Sequence, residues 1–597
     1  MDALEAKILF KNLLNRIKKT DDGEYQLSGL VTQDEVNALR FALDNLSGAA
    51  APPASPPLSS GATPTGAGGA ANQTSLVEPD ENVVVEEPAV AGLDEARAVL
   101  EKAAATGGRK APDINLTVLD LPPPECDARV CLDFGTAMSK ASLVEDDART
   151  GSEDITVLTL GVPGNQEEVS ETMLISSVYI ANDGLLWFGK AAVDHSLLEA
   201  ADGSRQRLDN IKRRLSEDGL NEKVGEVFNP IARDVEIVYG DVVLAYLTFL
   251  TWAMNQCLDD IGLPRNIVRR FAMPCLPSDK ARETAHRLRA LLGEAQVLAD
   301  TFADRLTGGL PLADFVATLH ELRQKGLKYS YVGEDITEPL GVAGSLLKQS
   351  SRMDALVMVV DVGAGTSDLS LYRIAVDPNR EINTSLEVKD AAIGITEAGN
   401  HLDRLLVGFI LKKAGITTDH PDCVKIQRKL ELSIRDYKET LFNESFVTIP
   451  LPEFGDPMIE LEEFRQLNQV VSFGDSLKRT MQQILEQVDD SWTDWIMADP
   501  QRHLTVALTG GGASLPMVKD LTKGNITVRG KSIRLVPSVP FPGWLHDDYP
   551  ELEADYSRIA VSLGGARKRL IERSGTASVA AGGVRTTPKL GGYYQKG

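Results

Sequence analysis

Two stretches of the sequence decide the fold: RVCLDFGTAMSKASLV at residues 129–144 and LVMVVDVGAGTSDLSLYRI at residues 356–374. Each has an apolar run, a short segment with glycine and a second apolar run, a pattern that predicts two strands joined by a tight turn. Aligning Asp361 with Asp133 also pairs identical residues further along: Gly363 with Gly135, Ser367 with Ser139, Ser370 with Ser142 and Leu371 with Leu143. This diverged internal repeat predicts two similar lobes whose hairpin tips face each other across a cleft.

The tip of the first hairpin has the residue types that bind phosphate. Backbone amides in a glycine-containing turn form a concavity for anions, and the hydroxyls of Thr136 and Ser139 add hydrogen-bond donors. Lys140 supplies a compensating positive charge. The carboxylate of Asp133 suits a hydrated magnesium ion. The sequence therefore predicts a nucleotide clamped between the two tips.

Both tips resemble the phosphate loops of the actin, hexokinase and heat-shock chaperone ATPase superfamily, and LTGGGASLPMV at 508–518 resembles its adenosine loop. The resemblance is closest to the nucleotide-binding domain of DnaK-type chaperones. It extends to IKRRL at 211–215, AMPCLPSDKARETAHRL at 272–288 and DITEPLGVA at 335–343. The first loop is similar to that of actins, which carry their phosphate lysine at the position of Lys140.

The resemblance implies roles for individual residues. Asp133, Asp361 and Asp368 correspond to carboxylates that hold magnesium through water, Glu338 to the residue that positions the attacking water, and Lys140 to a phosphate ligand. In the segment 429–442, which is similar to the helix that packs on the base, Arg435 stands where an acid is usual. The residues expected to bind the nucleotide are Gly135, Thr136, Ala137, Met138, Ser139, Gly363, Ala364, Gly365, Thr366, Lys438, Gly510, Gly511, Gly512 and Ser514.

The implied fold class is α/β: a two-lobed actin-like ATPase fold with duplicated ribonuclease-H-like lobes around a nucleotide cleft. Lobe I is expected at 126–350 with an insertion at 304–332, and lobe II with a helix returning to lobe I at 351–566. The flanking segments are expected to be an N-terminal helical hairpin at 1–48, a disordered linker rich in Pro, Ala and Gly at 49–122, and a flexible basic tail at 567–597.

Composition excludes several other classes of protein. A net charge of −24 argues against nucleic acid as a partner, because binding to phosphate backbones needs clustered basic residues. The apolar run from Val242 to Met254 is too short to span a membrane and predicts a buried helix. Five cysteines without CxxC or metal-ligand spacing predict small buried side chains and favour a reducing cytoplasm.

The resemblance implies a magnesium-dependent ATPase that hydrolyses ATP slowly to ADP and phosphate. Only about thirty residues follow Ala566, so the peptide-binding part of DnaK-type chaperones is expected to be absent. Nucleotide state would then control a protein partner bound through the N-terminal helices, the insertion at 304–332 or a lobe surface. The main alternative is an actin-like ATPase that self-assembles into filaments. A small-molecule kinase on the same scaffold is a third hypothesis, although lobe I has no obvious substrate segment.

Overall fold

The computed structural model describes residues 17–19, 25–27, 112–146, 153–161, 170–216, 219–346, 352–377, 379, 382–567 and 571–576. The chain divides into two compact units, Met1–Val77 and Glu78–Gly597. In the first unit, β1 (Ile17–Lys19) and β2 (Tyr25–Leu27) pair as antiparallel strands. The helical hairpin expected at 1–48 is therefore wrong at Ile17–Lys19. The rest of the expected helical hairpin lies outside the described residues.

The second unit has two large sheets and helices around them. Its strands are β3 (Ala128–Asp133), β4 (Met138–Asp146), β5 (Glu153–Val157), β6 (Leu174–Ile175), β7 (Val178–Ile180), β8 (Leu185–Phe188), β9 (Val268–Met273), β10 (Leu310–Pro311), β11 (Val332–Thr337), β12 (Met353–Val362), β13 (Ser367–Asp377), β14 (Ile382–Ile395), β15 (Phe446–Thr448), β16 (Met458–Glu460), β17 (Leu504–Thr509), β18 (Asn525–Val528), β19 (Lys531–Pro537) and β20 (Ile571–Thr576). Its helices are α1 (Gly189–Glu199), α2 (Arg213–Ser216), α3 (Tyr239–Asp260), α4 (Ser278–Thr301), α5 (Leu312–Gln324), α6 (Glu338–Ser345), α7 (Gly399–Lys413), α8 (Cys423–Glu444), α9 (Leu461–Arg465), α10 (Asn468–Gln487), α11 (Asp490–Met497), α12 (Pro516–Lys519), α13 (Gly543–Asp548) and α14 (Tyr556–Ala566).

The two large sheets share one arrangement of their central strands. In the first sheet the order is β11-β9-β3-β4-β5, with β3 antiparallel to β4, β4 antiparallel to β5, and the other neighbours parallel. In the second sheet β19-β17-β12-β13-β14 have the same order and the same directions, and β18 and β20 extend the two edges. The repeat seen in the sequence therefore lies at equivalent places in two sheets of matching topology.

Both hairpins predicted from the sequence are present, and their cross-strand registers agree. In the first hairpin Asp133 lies opposite Lys140, and in the second Asp361 lies opposite Asp368. The sequence alignment that superimposes Asp361 on Asp133 also superimposes Asp368 on Lys140. The position that lies opposite the first aspartate of each hairpin is therefore a lysine in the first sheet and an aspartate in the second.

Three layers of apolar side chains hold the second unit together. The first layer joins β3 and β4 to α3, α4 and α5, and it buries the run from Val242 to Met254, which confirms the predicted buried helix. The second joins β12 and β13 to α7, α8 and α10. The third lies between the two sheets and contains α6 and α14. Successive side chains along each strand point to opposite faces of the sheet, as expected for strands that are buried on both faces.

The helices α6 and α14 cross in backbone contact within the middle layer. A Cβ atom on Gly564 would lie 1.8 Å from the carbonyl oxygen of Gly341, and one on Gly341 would lie 2.4 Å from that of Val561. The next residue, Gly565, is equally close to the first sheet, because its Cβ would lie 2.4 Å from Cys131 Sγ. Glycine is required at this crossing because a side chain would push the helices apart.

Two boundary expectations are wrong in part. The linker expected at 49–122 ends in an ordered segment from residue 112, where Val118 is buried on the first layer and the amide of Asn115 donates to Thr301 Oγ1 at 3.0 Å. Apolar residues at every second position, from Ile114 to Val118, allow this packing. The tail expected to be flexible from residue 567 contains β20, which runs parallel to β14. The remaining residues of both segments lie outside the described ranges.

Three further expectations concern segments of the second unit. The insertion at 304–332 contains α5, and its apolar face, including Phe315 and Leu319, is buried in the first layer. The five cysteines all lie in the described part of the chain and form no disulfide, with Cys131 and Cys423 buried. Among the helices that the structure describes, none combines the length and apolar character that crossing a bilayer requires.

The helix crossing makes a stability prediction. Gly564→Ala should lower the free energy of unfolding by more than about 2 kcal/mol, because the added methyl group meets backbone atoms that cannot move aside. Gly408→Ala is the matched control, since Gly408 lies in α7 with no atom within 4 Å of its added Cβ, and it should stabilise the chain by up to about 1 kcal/mol. Urea denaturation of the full chain measures both. Equal effects of the two substitutions would contradict the crossing.

Candidate functional site

Four buried carboxylates converge where the two hairpins meet. Asp133 is the last residue of β3, Asp361 and Asp368 face each other across β12 and β13, and Glu338 opens α6 directly after β11. None of the four is more than 6% exposed. Burying carboxylates is costly unless positive charge or hydrogen bonds compensate, so this cluster indicates a functional site rather than a structural core.

Two lysines, the buried Lys212 and the partly buried Lys140, compensate part of this charge. Lys140 Nζ lies 3.2 Å from Asp133 Oδ2, and Lys212 Nζ lies 2.5 Å from Glu338 Oε1. Burial alone would lower the pKa of Lys212, but the negative charges of Glu338 and Asp133 outweigh it and the pKa is raised. Lys212 is therefore a permanent cation in the site. Sequence reasoning missed its role, although the segment IKRRL that contains it was recognised as similar to chaperones.

The second hairpin contributes two carboxylates with raised pKa values. Thr509 Oγ1 donates to Asp361 Oδ1 at 3.1 Å, and the amide of Cys275 donates to Asp368 Oδ1 at 2.5 Å. Burial, and then the charge of Glu338, raise the pKa of Asp368 to about 7 and hold that of Asp361 well above its usual range. The buried Oδ2 atom of Asp368 has no hydrogen-bond partner within the described ranges.

These donors fit a hydrated divalent cation. Four carboxylates outnumber two lysines, and the unpartnered oxygen of Asp368 is an acceptor of the kind that a water-coordinated Mg²⁺ uses. In the part of the chain that the structure describes, no three His, Cys, Asp or Glu side chains converge closely enough to hold a metal ion directly. A cation in this site would therefore be bound through its water molecules.

The tips of the two hairpins touch. A Cβ atom on Gly365 would lie only 2.5 Å from Thr136 Oγ1, so the second tip packs directly on the first. At Gly135 a Cβ atom would lie 1.9 Å from the carbonyl oxygen of Met138, so glycine permits the tight turn. The candidate residues of both tips, which are Gly135, Thr136, Ala137, Met138, Gly363, Ala364, Gly365 and Thr366, therefore form one continuous surface.

Ser139 is placed differently from the sequence expectation. Its Oγ is 3.0 Å from Ser176 Oγ and 3.1 Å from the hydroxyl of Tyr246, and the residue is fully buried. The side chain therefore belongs to the interior of the first sheet's layer and is not available to phosphate. Alternation along β4 explains the difference, because Ser139 and Lys140 point to opposite faces.

The third glycine loop follows β17 and packs against the second hairpin. Cβ atoms on Gly510 and Gly512 would lie 2.3 Å and 2.5 Å from atoms of Val362, and the amide of Gly512 donates to the Val362 carbonyl at 2.9 Å. These two glycines are required by packing on β12. Gly511 is exposed with open space around its Cα atom. The loop that contains Ser514 leads into the single turn α12, which begins at Pro516.

The first turn of α7 supports the second tip, and the sequence analysis missed it. The amides of Gly399 and Asn400 donate to the carbonyls of Gly363 and Ala364 at 3.0 Å and 2.8 Å. Lys438, which was expected to contact the base, forms a 2.6 Å ion pair with Asp403 and donates to the Gly399 carbonyl. Lys438 therefore holds α7 in place. The signal that could have indicated this element is a glycine at the first position of an amphipathic helix.

The raised pKa of Asp368 makes a prediction for the chain without ligands. Between its ordinary pKa near 3.8 and its folded pKa of about 7, the folded chain holds a proton that the unfolded chain has released, so this group's contribution to stability falls as pH rises. Asp368→Asn lacks that dependence. Relative to wild type, the variant's free energy of unfolding should rise by about 1–3 kcal/mol between pH 5 and pH 8. Urea unfolding with a chelator present measures it. The exposed Asp419→Asn is the control, and an unchanged difference between wild type and Asp368→Asn at the two pH values would refute the prediction.

Comparison with known proteins gives distant and partial similarity. No family model matches the chain. It is 26% identical over 261 residues to the chaperone protein HscA of Enterobacter sp. (strain 638), which is 44% of this chain and 37% of HscA. It is 24% identical over 279 residues to the chaperone protein DnaK of Mycoplasmoides gallisepticum, which is 42% of this chain and 44% of DnaK. The chain thus spans less than half the length of these curated relatives, and the similarity agrees with the resemblance to DnaK-type chaperones drawn from its motifs.

Proposed function

We propose that the chain is an ATP-binding, magnesium-dependent switch that hydrolyses ATP slowly and whose nucleotide state controls a protein partner. The observation that carries this proposal is the meeting of four buried carboxylates and two lysines at the touching tips of two equivalent hairpins. The partial similarity to proteins named as chaperones supports the same conclusion.

We infer two similar actin-like lobes around the nucleotide. The shared order and directions of the five central strands in each large sheet support this inference. So does the contact between Gly365 and Thr136, which brings the equivalent tips together. A nucleotide bound between these tips would contact both lobes, and its state would bias their relative position.

Each charged residue has a distinct role in this proposal. Asp133, Asp361 and Asp368 would hold Mg²⁺ through water, and the ion would neutralise part of the charge on the phosphates. Lys140 and Lys212 would bind phosphate oxygens, because they are the cations within the carboxylate cluster and a lysine ammonium attracts phosphate.

Glu338 is the residue that we assign to orienting the attacking water. Glu338 is the first residue of α6, and the short contact with Lys212 fixes the position of its carboxylate. Thr136 and Thr366, at the two touching tips, have hydroxyls that donate to the phosphates. Phosphoryl transfer depends mainly on such positioning and charge stabilisation, and it requires little covalent chemistry from the protein.

The protein partner would bind outside α5, because the apolar face of this insertion is already buried in the first layer. Of the three partner surfaces predicted from the sequence, the N-terminal segment and the lobe surface remain. The first test is directed at the nucleotide, because its state would control the partner.

The test is ATP hydrolysis and sedimentation of the full chain with magnesium. Wild type should hydrolyse ATP slowly and stay in the supernatant. Glu338→Gln should reduce hydrolysis by about a hundredfold but still retain ATP on gel filtration, because the amide keeps the size of the side chain and loses the charge that orients water. Glu334→Gln, on the exposed side of β11, is the control and should behave as wild type.

The other outcomes separate the competing functions. ATP-dependent pelleting of wild-type protein would favour the actin-like filament. Turnover only in the presence of a small-molecule acceptor would favour a kinase. A wild-type chain that retains no ATP would show that the carboxylate and lysine cluster is not a nucleotide site.

A further inference from the structure

A short segment links the buried Lys212 to α8. We call residues 203–210 the strap. Gly203 touches the first turn of α8, since a Cβ atom there would lie 2.1 Å from the carbonyl oxygen of Lys425. Further along, Gln206 Nε2 donates to Glu431 Oε2 at 2.5 Å. The strap therefore follows α8 for more than one helical turn before the chain reaches Lys212.

The middle of the strap is held rigid by a charged network. Arg207 donates through Nε and Nη2 to the two carboxylate oxygens of Asp209, at 2.9 Å and 3.0 Å, and through Nη2 to the Leu432 carbonyl of α8. Burial would raise the pKa of Asp209, but the charges of Arg207 and Arg435 lower it overall. Asp209 is thus a partly buried anion that pairs with Arg207 within the strap and interacts electrostatically with Arg435 of α8.

The end of the strap is fixed at Asn210. Its φ of 58° is in the left-handed region, which is uncommon for residues other than glycine. Its Oδ1 atom accepts from Arg435 Nη2 at 2.6 Å and from Asn400 Nδ2 at 2.9 Å. Asn400 also supports the second hairpin tip through its amide. One side-chain oxygen therefore joins α8, α7 and the strap, two residues before Lys212.

We infer that docking of the strap on α8 positions Lys212 for the reaction, and that Arg435 and Asn210 are the positioning residues. The inference rests on the proposed function, because it concerns the same ATP. When Arg435 releases Asn210, the strap can leave α8, and Lys212 then loses its fixed position against Glu338. The same contact joins the strap, whose Leu208 is buried in the first layer, to α7 and α8 of the second layer, so a nucleotide held between the sheets is released faster when the contact is lost.

The experiment compares wild type with Arg435→Ala and Asn210→Gly in the full chain. Asn210→Gly removes the amide, whereas glycine still adopts the positive φ. Single-turnover hydrolysis of ATP should slow about tenfold in both variants, and release of labelled ADP should accelerate about tenfold, the effect of losing one charge-assisted hydrogen bond. Lys412→Ala, at the exposed end of α7, is the control and should change neither rate.

A double variant separates positioning from general damage. In Lys212→Met protein, Arg435→Ala should cause no further loss of hydrolysis, because the lysine that it positions is gone, and ADP release should still accelerate. Additive losses would mean that Arg435 acts structurally, and that result overturns the inference. If Arg435→Ala and Asn210→Gly match Lys412→Ala while wild type binds and hydrolyses ATP, the inference fails and the proposed function stands. If wild type retains no ATP, both fail together.

Discussion

Buried charge is the constraint on which the rest of the second unit depends. Asp133, Glu338, Asp361 and Asp368 cannot be buried side by side unless cations and hydrogen-bond donors meet them there. The chain supplies two lysines from separate places, one on β4 and one after the strap. It also supplies the hydroxyl of Thr509 and the amide of Cys275. Two sheets, a crossing of two helices and a strap on α8 are all needed to bring these groups to one point.

The two hairpins are alike in register and unlike in charge. Lys140 lies opposite Asp133 in the first, where Asp368 lies opposite Asp361 in the second. The first tip is therefore nearly neutral, and the second carries two adjacent carboxylates whose pKa values are raised. In the proposed switch the two tips therefore have different roles: the first tip favours phosphate, and the second favours the cation that accompanies it.

Local patterns were sufficient to predict the hairpins, because alternating apolar runs and glycine turns are encoded within a few residues. The convergence of Asp133 and Asp361 followed from the internal repeat, and that of Asp368 followed from the resemblance to the chaperone family. The roles of Lys212 and of the first turn of α7 did not follow, since they depend on packing between distant segments. The prediction that Ser139 binds phosphate was wrong. A hydroxyl beside a lysine suggests a phosphate ligand, but strand alternation places this side chain on the buried face.

Similar reasoning explains the errors at the segment ends. Residues 112–122 were assigned to the linker that precedes them, but Val118 is buried on the first layer. Composition describes whether a segment can fold alone, and it does not describe whether a neighbouring surface will accept it. The ordered end of the linker shows that Val118 belongs to the core and that Ile114, Leu116 and Leu119 pack against it.

The most direct test of the central claim is a calorimetric titration of ATP into the full chain with magnesium, compared with Gly365→Val. A valine side chain at this position would meet Thr136 and separate the two tips. If the tips hold one nucleotide between them, wild type binds ATP with one site per chain and Gly365→Val loses that binding. Equal binding by both proteins, or no binding by wild type, would contradict the account.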